Sequence, residues 1–317
     1  MSFRQTKLAA GIVNIQIRPA QEEHTKAVDY SDNRLRELGG IPLTAMAQYC
    51  GETCIAVIDT ETTCETGDNF GKPLIYDIGV TFVKKSNGLP VGKASFIITD
   101  TFCNDKLMKA AFFTNRVFTD YPYILNMQMT NLVSFDKMLD MLAELFVKYN
   151  VDTFSAYNSN FDKRAFLATA EYCERVNNTD CYRGLVAEFK EGTIDELDLW
   201  ALSCMTFMNH DDFKHEAMLH HWFTKKLDKF GTSAEIANNY INGSEVGEDH
   251  TALSDTAIEA GIYHYCLQQP EFKEVITICL NGHGETWGYV NNCPVAKWVE
   301  LHYPDQLAEY NRFLTGK

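Results

Sequence analysis

The sequence predicts an α/β protein built on a mixed sheet, and three observations carry that expectation. Three strand-like segments lie close together early in the chain, two of them joined by an Asn87-Gly88 turn. Beyond them, short apolar runs alternate with segments whose apolar residues recur at helical spacing. With 317 residues, 45% hydrophobic and 22% charged, the chain can bury the core of one large domain with appendages, or of at most two domains. A hairpin followed by alternating helix and strand is the pattern of a sheet in which antiparallel and parallel strands meet.

Each element has its own warrant. Residues 25–38 read as a helix stopped by Gly39-Gly40. Residues 53–58 (TCIAVI) form a short continuous apolar run, which suits a strand buried on both faces. Residues 74–83 and 92–99 read as two further strands, with the hairpin signal of Asn87-Gly88 between them. Ser134 is a good N-cap for a helix over 134–149, whose apolar residues fall on one side. Residues 151–157 are a fourth strand and 161–176 a helix; residues 193–199 are a short fifth strand. Helical spacing returns over 201–208, 215–227, 233–241 and 251–268, with Pro270 ending the last of these. A turn-rich segment and a terminal helix complete the chain.

Charge narrows the function classes. Twenty-eight Lys and Arg against 43 Asp and Glu give a net charge of −15, which excludes a basic coat for nonspecific duplex binding. A local nucleic-acid site remains open, since divalent cations offset acid. No run reaches the roughly 18 apolar residues of a membrane span, and the first residues lack the clean apolar core of a secretory signal. A cytoplasmic protein with no membrane partner is therefore expected. The ten cysteines contain no C-x-x-C pair and read as reduced, mostly buried thiols.

Acidic residues in apolar surroundings mark the candidate chemistry. Asp59 and Glu61 end the first buried strand in AVIDTETT, and side chains two apart on a strand share a face. Two carboxylates that close repel unless a cation lies between them or one is protonated. Taken alone, such a pair is also what a strand running into a polar loop looks like. Asp162, in AYNSNFDKRAFL, sits at a strand-to-helix junction, where a carboxylate can be a plain helix-dipole residue. His250 and Asp255 flank the start of a helix in DHTALSDTAIEAGIY. Five residues turn a helix by about 140°, so the two converge only if His250 swings inward from the preceding loop.

Together, DTETT, the N-x-x-F-D of Asn158 to Asp162 and the H-x-A-L-x-D of His250 to Asp255 resemble, in order, the three motifs of the DEDDh-type 3′–5′ exonucleases. That branch holds the proofreading subunit of DNA polymerase III and ribonuclease T. IYDIGV is similar to the family's second-strand signature, with Asp77 where Glu or Gln is usual, and DLWALSC is similar to the segment after the second motif. The motif aspartates lie 103 and 93 residues apart, somewhat long for the family, which suggests insertions.

The resemblance implies a ribonuclease H-like fold: a five-stranded mixed sheet flanked by helices, with N- and C-terminal extensions. It spans residues 53–269, leaving 1–52 and 270–317 as extensions. It also implies two divalent cations, Mg²⁺ or Mn²⁺, held by Asp59, Glu61, Asp162 and Asp255, with His250 taking a proton from the attacking water. Thr60, Thr62, Asn158 and Phe161 would lie against the substrate. The expected reaction removes nucleotides from the 3′ end of single-stranded nucleic acid, DNA slightly before RNA, giving nucleoside 5′-monophosphates. A non-catalytic binding or scaffold protein on the same fold, or an RNA-specific enzyme, is the alternative. Through its flanks the chain could dock on a polymerase or another replication or repair protein.

Other signals read as bland. HEAMLHH lacks the i, i+4 histidines of a zinc helix, because position 219 is Leu. Cys279, His283 and Cys293 lack a fourth ligand at regular spacing. Phe112, Phe113, Tyr121, Tyr123 and Tyr157 could stack bases, although core packing is the commoner fate of such rings.

Overall fold

The continuous apolar run before Asp59 forms the middle of the main sheet. The structure, a computed structural model, describes residues 6–8, 11–13, 51–63, 72–109, 111, 121–126, 130–226, 228–243, 250–280 and 282–315. The helix expected over 25–38 lies outside the described residues. A short antiparallel hairpin of β1 (Thr6–Leu8) and β2 (Gly11–Val13) is separate from the main sheet. The latter contains β3 (Cys54–Thr62), β4 (Ile75–Lys84), β5 (Pro90–Ile98), β6 (Asn131–Val133), β7 (Val151–Ala156) and β8 (Asp195–Asp198). Their order is β6-β5-β4-β3-β7-β8. β3, β4 and β5 pair antiparallel, whereas β7 joins β3 in parallel and β8 joins β7 in parallel.

Those five strands have the ribonuclease H-like arrangement that the motifs imply. The sheet has one strand more than expected, because β6 adds parallel to the edge of β5. Three residues are too few to carry a two-residue periodicity, so β6 leaves no sequence signal.

Side chains of β3 alternate between two cores, as the pleat requires. Cys54, Ala56 and Ile58 pack with α1 (Phe135–Lys148), α2 (Ser159–Asn177) and α3 (Leu185–Glu191). Ile55 and Val57 face the other way, into a core shared with α4 (Leu199–Ser203), α5 (Asp211–Leu219), α6 (Ala234–Asn242) and α7 (Ala252–Cys266). Val275, Cys279, Val295, Trp298 and Val299 from the last 47 residues are buried in that same second core. Alternation continues to the strand end: Asp59 and Glu61 belong to the α7 face, and Thr60 and Thr62 to the α2 face.

Two elements depart from the helical pattern of the sequence. α4 passes into a π-helical turn over Cys204–Met208. α5 begins four residues earlier than the spacing suggests and ends at Leu219, where His221 adopts φ +56°. The eight described cysteines are free thiols, six of them buried. Among the described residues no helix is long and apolar enough to cross a membrane.

Candidate active site

The β4 strand sets where α7 lies. Asp77, Gly79 and Thr81 alternate along one face of β4, with Asp77 opposite Glu61 and Gly79 opposite Asp59. Asp77 Oδ2 accepts hydrogen bonds from the backbone N–H of Ala252 (3.1 Å) and from the Tyr121 hydroxyl (2.6 Å). At Gly79 any Cβ would lie 2.2 Å from the carbonyl carbon and oxygen of Ala252, so only glycine admits the helix here. Thr81 Oγ1 meets Thr256 Oγ1 at 2.9 Å. These three contacts fix the first turn of α7, and with it Asp255, against the end of β3.

His250 reaches the site from outside the helix. It precedes the N-cap Thr251 and adopts φ +50°, in the left-handed region. One ligand atom each from Glu61, His250 and Asp255 lies within 4.8 Å of the others. The convergence that a regular helix forbids is thus achieved at the residue just ahead of it.

Asp162 arrives from the opposite face, in the first turn of α2. Its Oδ1 accepts from the Thr60 hydroxyl at 2.7 Å, and both residues are buried. The Thr60 side chain is therefore engaged by Asp162. Thr62 is likewise buried on that face. Asn158, in the left-handed region at φ +71°, caps α2, and its N–H donates to Asp198 Oδ1 at 3.3 Å. Phe161 is half-buried beside it.

A cavity of roughly 460 Å³ opens beside Asp59, lined by Tyr157, Asn158, Trp200, the 232–234 segment, Asp255 and Glu259. Its far wall is held together by Thr232. The carbonyl of Thr232 accepts from the Tyr157 hydroxyl at 2.6 Å, and its Oγ1 accepts from Trp200 Nε1 at 2.9 Å. Trp200, Glu259 and the 232–234 segment are lining residues that the motif reading did not assign to the site. Glu259 had a legible signal: it follows Asp255 by four residues, hence on the same helix face, within an otherwise mostly apolar or small sequence.

Burial and mutual repulsion push these acids toward their neutral forms. Burial raises Asp59 well above the usual carboxylate range, and the charges of Glu259, Asp162, Glu61 and Asp255 raise it further. Burial pushes Asp162 up to about 7, against the opposing hydrogen bond from Thr60. Asp77 is raised by burial to about 6, although the Tyr121 hydroxyl and backbone N–H groups favour its charged form. Crowded carboxylate oxygens are the donor set that a hard divalent cation satisfies, so the residues present fit such a cation.

The remaining candidates fall elsewhere. Phe112 and Phe113 lie outside the described residues, as does the side chain of Tyr123. Tyr121 is fully buried and serves Asp77. His215 packs against Trp298 and Tyr303, and His220 stacks on Trp222, away from any cluster of ligands. Among the described residues, Cys279, His283 and Cys293 form no group that could hold a metal ion.

No protein-family model matches the chain, and neither does any curated protein. Solved structures do resemble it at low identity. One is Escherichia coli exonuclease I in complex with a dA16 oligonucleotide: 12% identity over 71% of this chain and 43% of that one, TM-score 0.45. Another is a 3′-exonuclease with the histone mRNA stem-loop: 12% identity, 69% and 65% coverage, TM-score 0.40. A third is the nuclease domain of 3′hExo, a DEDDh family member bound to rAMP: 13% identity, 68% and 92% coverage, TM-score 0.37. The chain spans less than two thirds of the first two. In its ordered motifs and the strand order that carries them, the chain resembles the DEDDh-type exonucleases.

Proposed function

We propose that the protein is a cation-dependent 3′–5′ exonuclease that shortens single-stranded nucleic acid, DNA before RNA, and releases nucleoside 5′-monophosphates. The observation that carries this reading is the convergence of Glu61, His250 and Asp255, from distant segments of the chain, beside the half-buried Asp59.

Asp59, Glu61, Asp162 and Asp255 would hold two divalent cations. When bound, such cations lower the pKa of an attacking water and stabilise the charge on the leaving 3′-oxygen. The chain's own groups do the rest. His250 accepts the proton of that water at a ring nitrogen, as a neutral imidazole can near physiological pH. Asp77, Gly79 and Thr81 keep α7 in place so that Asp255 and His250 face Glu61. The backbone at Thr60 and Thr62, with Asn158 and Phe161 at the start of α2, would bear on the terminal nucleotide. A scaffold with no catalysis would have no need of a complete set of these side chains around one strand end.

Single-stranded DNA and RNA oligonucleotides carrying a 5′ label, incubated side by side with the protein and Mn²⁺, test the proposal. Both should shorten, DNA faster, and EDTA should stop the reaction. Intact oligonucleotides of both kinds after a prolonged incubation with Mn²⁺ would refute it.

A further inference from the structure

We propose that the turn between α5 and α6 is a landing surface for the single strand, with Lys225, Lys226 and Lys229 on its phosphates and Trp287 under a base. This rests on the reading of the site as an exonuclease, and it says where the strand runs on leaving the cavity. Three lysines fall within residues 225–229 of a chain whose net charge is −15. So acidic a chain repels a polyphosphate overall, and a strand is held only where cations are gathered locally. Lys225 and Lys226 are exposed, and among the described residues neither forms an ion pair. The acid between them and Lys229, Asp228, accepts from the Thr224 hydroxyl at 3.1 Å.

The turn is built to hold its shape. Phe223 and Phe230 pair as an antiparallel bridge, the Thr224 N–H donates to the Lys229 carbonyl at 2.9 Å, and the Gly231 N–H donates to the Trp222 carbonyl at 2.8 Å. Asn291 clamps it from the C-terminal segment: its Oδ1 accepts from the Phe230 N–H at 2.7 Å, and its Nδ2 donates to the Phe230 carbonyl at 3.1 Å. That clamp brings the helix Trp287–Val290 alongside, where Lys229 Nζ lies 3.8 Å from the centroid of the Trp287 ring. Trp287 is the one exposed aromatic ring among the described residues, at 44%. An open aromatic face among lysines is the combination that binds single strands without reading their sequence.

Continuity with the cavity selects the occupant. The residue after the turn is Thr232, which lines the cavity beside Asp59 and is bonded there to Tyr157 and Trp200. Lys229 precedes Thr232 by three residues and Lys226 by six. A fully extended chain spans about 3.5 Å per residue, so their backbones lie within about 10 and 20 Å of that wall. A strand whose 3′ end enters the cavity therefore meets the lysines within a few nucleotides. An acidic protein would also be drawn to them, but it would have no use for a neighbouring cavity lined by carboxylates.

The test is the fluorescence anisotropy of a 5′-labelled DNA strand of about 15 nucleotides, its 3′ end blocked by phosphate, titrated with the full chain and Mn²⁺ at several salt concentrations. In the double variant Lys225→Ala/Lys226→Ala, the log–log slope of affinity against salt should flatten by about 1.4, as two lost phosphate contacts on a single strand do. Trp287→Ala should weaken binding by about 5- to 100-fold, the worth of one stacked base. The control pair Lys148→Ala/Lys190→Ala, exposed lysines on α1 and α3 across the sheet, should keep the wild-type slope. A trinucleotide with a free 3′ end, too short to reach the turn, should be hydrolysed at the wild-type rate by every variant. An unchanged slope in Lys225→Ala/Lys226→Ala, an equal flattening in the control pair, or an equal loss on the trinucleotide would overturn the proposal. So would binding of a polyglutamate peptide in place of the strand, which would make the surface a protein-docking site. If the wild type binds the blocked strand through these lysines but shortens no free strand, the exonuclease reading fails and the surface stands.

Discussion

Asp59→Asn is expected to abolish hydrolysis while leaving the metal-free protein at least as stable as the wild type. Asp59 lies among the other acids, and as one of the four carboxylates that would hold the cations it should be indispensable to the reaction. Cation stabilisation of a reacting phosphate is worth several kcal/mol, and each ~1.4 kcal/mol is tenfold in rate, so a loss of about 10³-fold or more should follow. Stability should move the other way. The wild-type carboxyl sits among Glu259, Asp162, Glu61 and Asp255, all of which oppose its ionisation. A neutral amide of the same shape removes that repulsion. Urea unfolding in EDTA measures this, and a large fall in midpoint would show that Asp59 is structural.

The same crowding gives the metal-free protein a defined pH response. Asp162 and Asp77 are raised to about 7 and about 6, above the ordinary carboxylate value near 4. The native state therefore holds more protons than the unfolded chain between about pH 4 and 7. Their contribution is fully present below pH 4 and is lost as pH rises through 6 and 7, so these two groups favour the fold at mildly acidic pH. Bound cations would reverse the preference at Asp162 by stabilising its charged form.

His250→Ala is expected to cost about 10²- to 10⁴-fold in turnover, the usual worth of a general base. The carboxylates are untouched, so Mn²⁺ affinity should stay within a few fold. Because the ring nitrogen lies within 4.8 Å of Glu61 and Asp255 ligand atoms, the two measurements belong together. Turnover lost with Mn²⁺ binding intact identifies a base. Near wild-type turnover would remove His250 from the mechanism, and lost Mn²⁺ binding would recast it as a ligand.

Much of this fold was legible in advance because β3 is buried on both sides and has few ways to be written. The run from Ile55 to Ile58, the Asn87-Gly88 hairpin and the helix after Ser134 all have local causes, and the structure places them as expected, although the Ser134 side chain makes no capping hydrogen bond and Asp100 accepts from the Phe135 N–H instead. β6 did not announce itself, because pairing with β5 rather than its own pattern makes it a strand. The end of α5 at Leu219 is set by the left-handed turn at His221, which no glycine marks.

The site divides in the same way. Asp59 and Glu61 could be assigned to one face from strand geometry alone. That Thr60 belongs to Asp162 depends on α2 crossing the far side of β3, a tertiary fact. His250 and Asp255 conflict on an ideal helix, and only the positive φ of His250 resolves the conflict. Gly79 looked like part of an ordinary strand, and Asp77 stood out only as a signature position with no assigned role. Their function as the seat of α7 emerges from contacts with residues more than 170 positions away.

The most direct measurement of the central claim is the product pattern from a 5′-labelled single-stranded oligonucleotide, with its 3′ end either free or blocked by phosphate, in the presence of Mn²⁺. The free end should give a ladder descending one nucleotide at a time, and the 3′ block should slow it while a block at the 5′ end does not. Products that begin internally, or a rate indifferent to the 3′ block, would contradict the assignment of this carboxylate and histidine site to 3′-end hydrolysis.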